Sequence, residues 1–315
     1  MKILLIGASG QLGRVLAPRL ARRGTLLTPA RAELNLADEH GLRDYIRKEK
    51  PGLVVNTAAF TAVDQAQEQV TRAYAINAAA PTIMAQEAQR LAIPLVHFST
   101  DYVFDGRTKR PYTETDPTAP LNVYGQSKLA GELGVAAHCD AHWILRTSWV
   151  YGGEGTNFLH TIMRLARERH QINVVDDQIG SPTWTHTIAD ALEHMMACGS
   201  SQGISLAEHA LATRGLYHLT SSKSTSWHQY ARTIVSQLRE NGVPGLLAAT
   251  QVSPIPSSEY PTPATRPLNS QLDVSKIERT FSLTLPAWDT ALTECLQSMI
   301  EQGQILSAER HQERT

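Results

Sequence analysis

The first half of the chain alternates short apolar runs with helix-length amphipathic stretches. Ile3–Ile6, Leu53–Asn56, Leu95–Ser99 and Trp143–Thr147 read as buried strands, with a weaker one at Leu26–Thr28. Between them, Leu12–Arg22, Leu42–Lys48, Val70–Leu91 and Ser127–His138 place apolar residues at helical spacing. This alternation predicts an α/β fold, a Rossmann-type doubly wound parallel sheet with right-handed crossovers. Ligands of such sheets bind beyond the C-terminal strand ends, so residues there carry the chemistry.

Past residue 150 the rhythm changes. Asn157–Arg169, Thr183–Cys198 and Trp227–Glu240 predict helices, and Leu216–Leu219 a short strand. Asp176–Pro182 reads as a loop, and the polar stretch Gly199–Arg214 as a surface loop. Ser253–Pro267 holds five prolines and reads as an extended crossing loop. The charged stretch from Ser307 reads as a frayed tail. The expected organisation is a dinucleotide-binding domain over 1–150, with a returning segment near 182–200. A smaller, mixed α/β C-terminal substrate domain is expected mainly from 151–181 and 201–315.

Composition narrows the function classes. The 315 residues are 42% hydrophobic, enough for one large or two ordinary cores. A net charge of −1 gives no global attraction to nucleic acid or to an anionic membrane, so neither is expected as a partner. No apolar run is long enough to span a bilayer, and the first one is too short for a signal peptide; a cytoplasmic location is expected. Cys139, Cys198 and Cys295 lack C-x-x-C spacing and read as reduced thiols. The twelve histidines form no H-E-x-x-H array, so no metal is expected.

The first strand runs directly into Gly7-Ala8-Ser9-Gly10-Gln11-Leu12-Gly13 and then a helix. A glycine turn there lays a dinucleotide pyrophosphate on a helix N-terminus, whose unpaired N–H groups and dipole favour negative charge. At the end of the strand Leu53–Asn56, Asn56-Thr57-Ala58-Ala59 offers small residues for close approach of a cofactor. After the next strand, Ser99 and Thr100 bring hydroxyls able to bond a carbonyl or hydroxyl. Tyr124 and Lys128 stand four apart, on one helix face, where an ammonium beside a phenol would lower the phenol pKa. Thr28-Pro29-Ala30-Arg31 ends the weak second strand without a carboxylate, and Arg31 can meet a 2′-phosphate, which favours NADPH while leaving NADH possible.

These residues resemble the extended short-chain dehydrogenase/reductases, and within them the dTDP-4-dehydrorhamnose reductase family. The closer resemblance rests on Thr61–Asp64, Ser99–Phe104, Thr115-Asp116, Ala119–Gly125, Arg146–Tyr151, Asp177–Thr183 and Arg266–Ser270. It implies reduction of the C4 keto group of dTDP-4-dehydro-L-rhamnose, with a dTDP-sugar as substrate. Thr100, Tyr124 and Lys128 would be catalytic. Gly7, Gly10, Gln11, Leu12, Gly13, Arg31, Asn35, Leu36, Ala58, Ala59, Thr61, Asn77 and Ser99 would line the cofactor, together with Tyr124 and Lys128. Asp101, Phe104 and Trp149 would meet the hexulose, and Arg266 the nucleotide portion.

The chain also departs from that pattern. Some relatives are magnesium-bridged dimers with glutamate where Val15 stands, and a second carboxylate is missing near Thr185-His186-Thr187. A monomer or weak homodimer without metal is therefore expected. Two other readings stay open. One is another nucleotide-sugar reductase, epimerase or dehydratase of the superfamily, although dehydratases carry glutamate after Thr-Asp, where this chain has Tyr102; the other is a non-catalytic NAD(P)-binding regulatory subunit of the same fold.

Overall fold

The computed structural model describes residues 1–201, 203–247 and 251–305; the expected charged tail lies outside the described residues. The first half runs β1 (Lys2–Ile6), α1 (Gln11–Ala21), β2 (Thr25–Leu27), α2 (Glu39–Glu49) and β3 (Leu53–Asn56). It continues with α3 (Val63–Glu68), α4 (Val70–Tyr74), α5 (Ala80–Leu91), β4 (Leu95–Thr100), α6 (Val123–His138) and β5 (His142–Thr147). The second half holds β6 (Val150–Tyr151), α7 (Phe158–Glu168), β7 (Gln171–Val175), β8 (Ile179–Gly180), β9 (Thr183–Trp184) and α8 (Thr185–Ser201). Next come α9 (Leu206–Ala212), β10 (Gly215–His218), β11 (Thr225–Ser226), α10 (Trp227–Glu240), β12 (Gln251–Ile255), α11 (Ser275–Phe281) and α12 (Trp288–Glu301).

Six strands form the central sheet in the order β10-β5-β4-β3-β1-β2, every neighbour parallel. The strand order reverses between β1 and β3, so their C-terminal ends open the crevice where a ligand fits. Alternation along β1 sends Ile3 and Leu5 to one face and Leu4 and Ile6 to the other. The first face is covered by α1, α8, α9 and α11, the second by α2, α5 and α6. A second core gathers Leu159, Ile162, Tyr230, Ile234, Leu292 and Leu296 from α7, α10 and α12. Ala210, Tyr217, Ile277 and Phe281 pack on the sheet core, so the stretch after residue 201 divides between the two cores.

Four local expectations change. The stretch Gly199–Arg214 contains α9, started by a reciprocal capping box between Ser205 and Glu208. The single helix expected over Val70–Leu91 is broken by a π turn at Ala75–Ala79, just before Pro81, which has no N–H to continue the ladder. The crossing loop begins as strand β12, paired in parallel with β7; Pro254 is tolerated there because this sheet has only two strands. Helix α6 starts at Val123 rather than Ser127, because the Asn122 side chain accepts the Gly125 amide at 2.9 Å.

Candidate active site

The glycine turn is built for close approach. Gly7 has φ +87°, a left-handed conformation that other residues avoid, and a Cβ there would sit 2.7 Å from the Ala58 nitrogen. Gly13 lies where any Cβ would collide with the Gly7 carbonyl, so it fits the helix to the strand rather than facing a ligand. Gly10 caps α1 without any side-chain acceptor, and a Cβ there would meet only the Gly7 oxygen, at 3.3 Å. The first amides of α1 therefore point into open space. Thr57 fastens the turn to β3 by donating its hydroxyl to the Ile6 carbonyl at 2.8 Å.

From this turn a cleft of about 1200 Å³ runs along the C-terminal strand ends. Gly7, Gly10, Gln11 and Leu12 line it, with Arg31, Asn35 and Leu36 on one side and Ala58, Ala59 and Thr61 on another. Ser99, Thr100, Asp101, Tyr124, Lys128 and Trp149 line it too. Arg31 is exposed and, among the described residues, makes no ion pair or hydrogen bond. The cleft thus joins an open helix N-terminus, a free guanidinium at one end and a set of hydroxyls at the other. These features fit a phosphorylated dinucleotide.

Thr100 ends β4. Its hydroxyl donates to Asp101 Oδ1 at 3.0 Å and accepts the Tyr102 amide at 3.2 Å. Asp101 is buried, and that burial pushes its carboxyl up to about 6, partly offset by the nearby hydroxyls of Ser270, Thr100 and Ser148. Among the described residues, Ser99 Oγ and Thr147 Oγ1 are buried without a hydrogen-bond partner. Two unsatisfied hydroxyls at the ends of adjacent strands, beside the Asp101 carboxylate, mark a place built for a polar ligand.

Tyr124 stands in the first turn of α6, and Lys128 one turn on. Burial pushes the Tyr124 phenol up to about 12; the Thr100 hydroxyl opposes this and the Asp101 charge adds to it. Lys128 is buried and donates to the Phe98 carbonyl at 2.6 Å, with its own pKa lowered by burial to about 8. The expected lowering of the phenol by Lys128 is thus corrected. The ammonium is held at the Phe98 carbonyl, and desolvation governs the phenol. Helix α6 is fixed to β5 by a buried bidentate pair, Arg146 Nε to Glu132 Oε1 at 2.8 Å and Nη2 to Oε2 at 2.6 Å.

Two further expectations are corrected by geometry. Phe104 is buried against Tyr112, ring centroids 4.1 Å apart, in a small core of its own outside the cleft. Asn77 is consumed internally: its Oδ1 accepts the Phe60 amide at 2.7 Å and its Nδ2 donates to Ser127 Oγ at 3.0 Å. Arg266, expected at the nucleotide portion, is paired with Asp64 and lines a second pocket of about 580 Å³. A cleft residue outside the expected set is Trp227, which lines the cleft stacked on Trp149. Its only sequence signal was an aromatic opening the amphipathic helix α10. Tyr102, Phe60 and Arg72 also reach the cleft, the Arg72 guanidinium 5.7 Å over the Phe60 ring.

Among the described residues, no group of three or more His, Cys, Asp or Glu side chains is placed to hold a metal ion. No helix among them is long and apolar enough to cross a membrane.

The family model of the RmlD substrate binding domain matches residues 1–301. A dTDP-4-dehydrorhamnose reductase of Burkholderia thailandensis is 43% identical over 96% of this chain and 100% of its own length. Another, from Salmonella typhimurium, is 41% identical over 95% of this chain and 98% of its own. The solved dTDP-4-dehydrorhamnose reductase of Bacillus anthracis in complex with NADP has a TM-score of 0.84 and 31% identity, covering 94% of this chain and 99% of that one. The chain belongs to the dTDP-4-dehydrorhamnose reductase family.

Proposed function

We propose that the chain reduces the C4 keto group of dTDP-4-dehydro-L-rhamnose with NADPH, giving dTDP-L-rhamnose, the last step of dTDP-rhamnose synthesis. Reductases of that name match it over almost its full length. The observation that carries the reading is the meeting of Thr100, Asp101 and Tyr124 in the same cleft as the glycine turn. The glycine turn would hold the pyrophosphate, Arg31 the 2′-phosphate, and Ser99 with Lys128 the nicotinamide half. When bound, reduced nicotinamide supplies the hydride.

The protein's own part is orientation and a proton. With its pKa near 12, Tyr124 is a neutral phenol at working pH and carries the proton that the sugar oxygen needs. The Asp101 charge helps keep it protonated. As charge develops on the C4 oxygen, the hydroxyls of Thr100 and Tyr124 stabilise it, and Tyr124 gives up its proton. Trp149 would present an apolar face to the sugar, and the lobe around the second core would hold the rest of the substrate. In the dehydratase reading a carboxylate is needed after Thr-Asp; the side chain there is Tyr102, packed edge-on against Tyr124 at 5.6 Å.

The test is purified protein with NADPH and dTDP-4-dehydro-L-rhamnose, following loss of NADPH absorbance and the sugar product. Stoichiometric oxidation with formation of dTDP-L-rhamnose is expected. Folded protein that binds NADPH yet consumes none would overturn the reading.

A further inference from the structure

Helix α3 fastens two distant segments together. Asp64 accepts both arms of the Arg266 guanidinium, Nη1 to Oδ1 at 2.7 Å and Nη2 to Oδ2 at 2.8 Å. The same carboxylate accepts the Ala264 amide at 3.0 Å. Gln67, further along α3, accepts the Val123 amide at 2.7 Å, at the very start of α6. Asn122, which caps α6, also donates to the Thr265 carbonyl at 2.8 Å. Residues 264–266 of the crossing loop are therefore pinned by two side chains, and the turn carrying Tyr124 is gripped from the same helix. On its other side, the Tyr102 carbonyl packs so tightly on Gly125 that no Cβ would fit. Both Nη atoms of Arg266 are thus engaged by Asp64, and Nη1 also donates to the Ala264 carbonyl at 2.5 Å. The fork geometry is that of a paired guanidinium and carboxylate, with the Asp64 carboxyl held below its ordinary range by Arg266.

We infer that the Asp64–Arg266 pair is a latch that fixes the first turn of α6, and with it the Tyr124 phenol, against the end of β4. Both are positioning residues, and Arg266 is not a ligand of the nucleotide. This rests on the reading of Tyr124 as proton donor. It also gives a shared purpose to two motifs far apart in the sequence, Thr61–Asp64 and Arg266–Ser270.

The test compares wild type with Arg266→Met, Arg266→Lys, Asp64→Asn and the exchanged pair Asp64→Arg with Arg266→Asp, each below its own melting temperature. Misplacing a proton donor by about 1 Å costs on the order of 100-fold, so kcat should fall roughly 10- to 100-fold in Arg266→Met and Asp64→Asn. KM for the keto sugar, and the Kd for dTDP by calorimetry, should stay within about threefold of wild type. The exchanged pair should recover part of the loss, which a phosphate-binding arginine could not do. Amide hydrogen exchange across Val123–Gln126 should quicken in Arg266→Met, a readout independent of turnover. Unchanged exchange overturns the latch. So does a tenfold or greater loss of dTDP affinity in Arg266→Met with Asp64→Asn silent, on the scale of a lost charged contact. A wild-type protein with no reductase activity sinks the proposed function instead, and the exchange measurement still decides the latch.

Discussion

Trp149 and Trp227 lie face to face, ring centroids 3.5 Å apart and planes 8° from parallel. They come from different parts of the chain, Trp149 from the loop after β5 and Trp227 from the first turn of α10. Trp149 has φ +48°, a backbone conformation that costs a bulky residue of the order of 1–3 kcal/mol. Gly180 leaves the room its indole needs; a Cβ there would run into the ring. Trp227 is itself backed by Phe158, centroids 4.5 Å apart. The strained residue is therefore held by its neighbours.

Trp227→Ala is expected to raise KM for the keto sugar and leave NADPH affinity alone. An aromatic pair contributes about 0.5–1.5 kcal/mol beyond its buried area, which sets the scale at roughly two- to tenfold. Gly180→Ala should act in the same direction by displacing the indole. Steady-state kinetics at saturating NADPH, with a separate NADPH titration, checks both. A sugar KM unmoved in both variants would remove Trp149 from the substrate wall.

Asp101 should make stability depend on pH. Its folded-state pKa, about 6, lies above the ordinary carboxylate range because the group is buried. The folded protein thus holds this proton more tightly than the unfolded chain does. The site costs nothing well below pH 4; its cost builds as pH rises from about 4 to about 6 and levels off above that, on the order of 3 kcal/mol at most. Asp101→Asn carries no charge at any pH. It should raise the melting temperature more at about pH 8 than at about pH 4.5, while lowering turnover. Equal shifts at both pH values would show that the carboxylate is not penalised in the fold.

The sheet was legible because its strands are apolar on both faces and its helices follow the helical period. The glycine turn was legible because its spacing answers a backbone demand, visible in the φ of Gly7 and the packing of Gly13. Asn77 and Phe104 were misplaced for a common reason. Each sits in a sequence next to cleft residues, but its side-chain direction is decided by a partner beyond the local pattern, Ser127 on another helix for one and Tyr112 across a loop for the other. Trp227 was missed because an aromatic on an amphipathic helix looks the same whether it faces a core or a cleft. The pairing of Asp64 with Arg266 spans about two hundred residues and leaves no local pattern at all.

Arg31 is exposed at the cleft and among the described residues has no ion pair, so it is available to a phosphate. Its contribution should be modest, since an exposed charge pair is screened and costs side-chain entropy. The ratio of kcat/KM for NADPH over NADH should drop roughly three- to tenfold in Arg31→Ala, with kcat little changed. The drop should itself shrink at high salt. An unaltered ratio would place the 2′-phosphate elsewhere.

Tyr124→Phe removes the phenol oxygen and keeps the ring that packs against Tyr102. The Asn122 cap and the Gln67 contact that start α6 use backbone groups, so the helix should form as before. Tyr124 is half-buried at the cleft wall, hence the melting temperature should stay close to that of the wild type. Turnover should fall about 10²- to 10⁴-fold, the range for losing a general acid, with NADPH affinity retained. The residual rate would report what Thr100 does alone, so adding Thr100→Val should lower it further. If Tyr124→Phe alone turns over at a near-normal rate, the proton comes from elsewhere. The group to examine next would then be Asp101, which its pKa of about 6 leaves partly protonated near neutral pH.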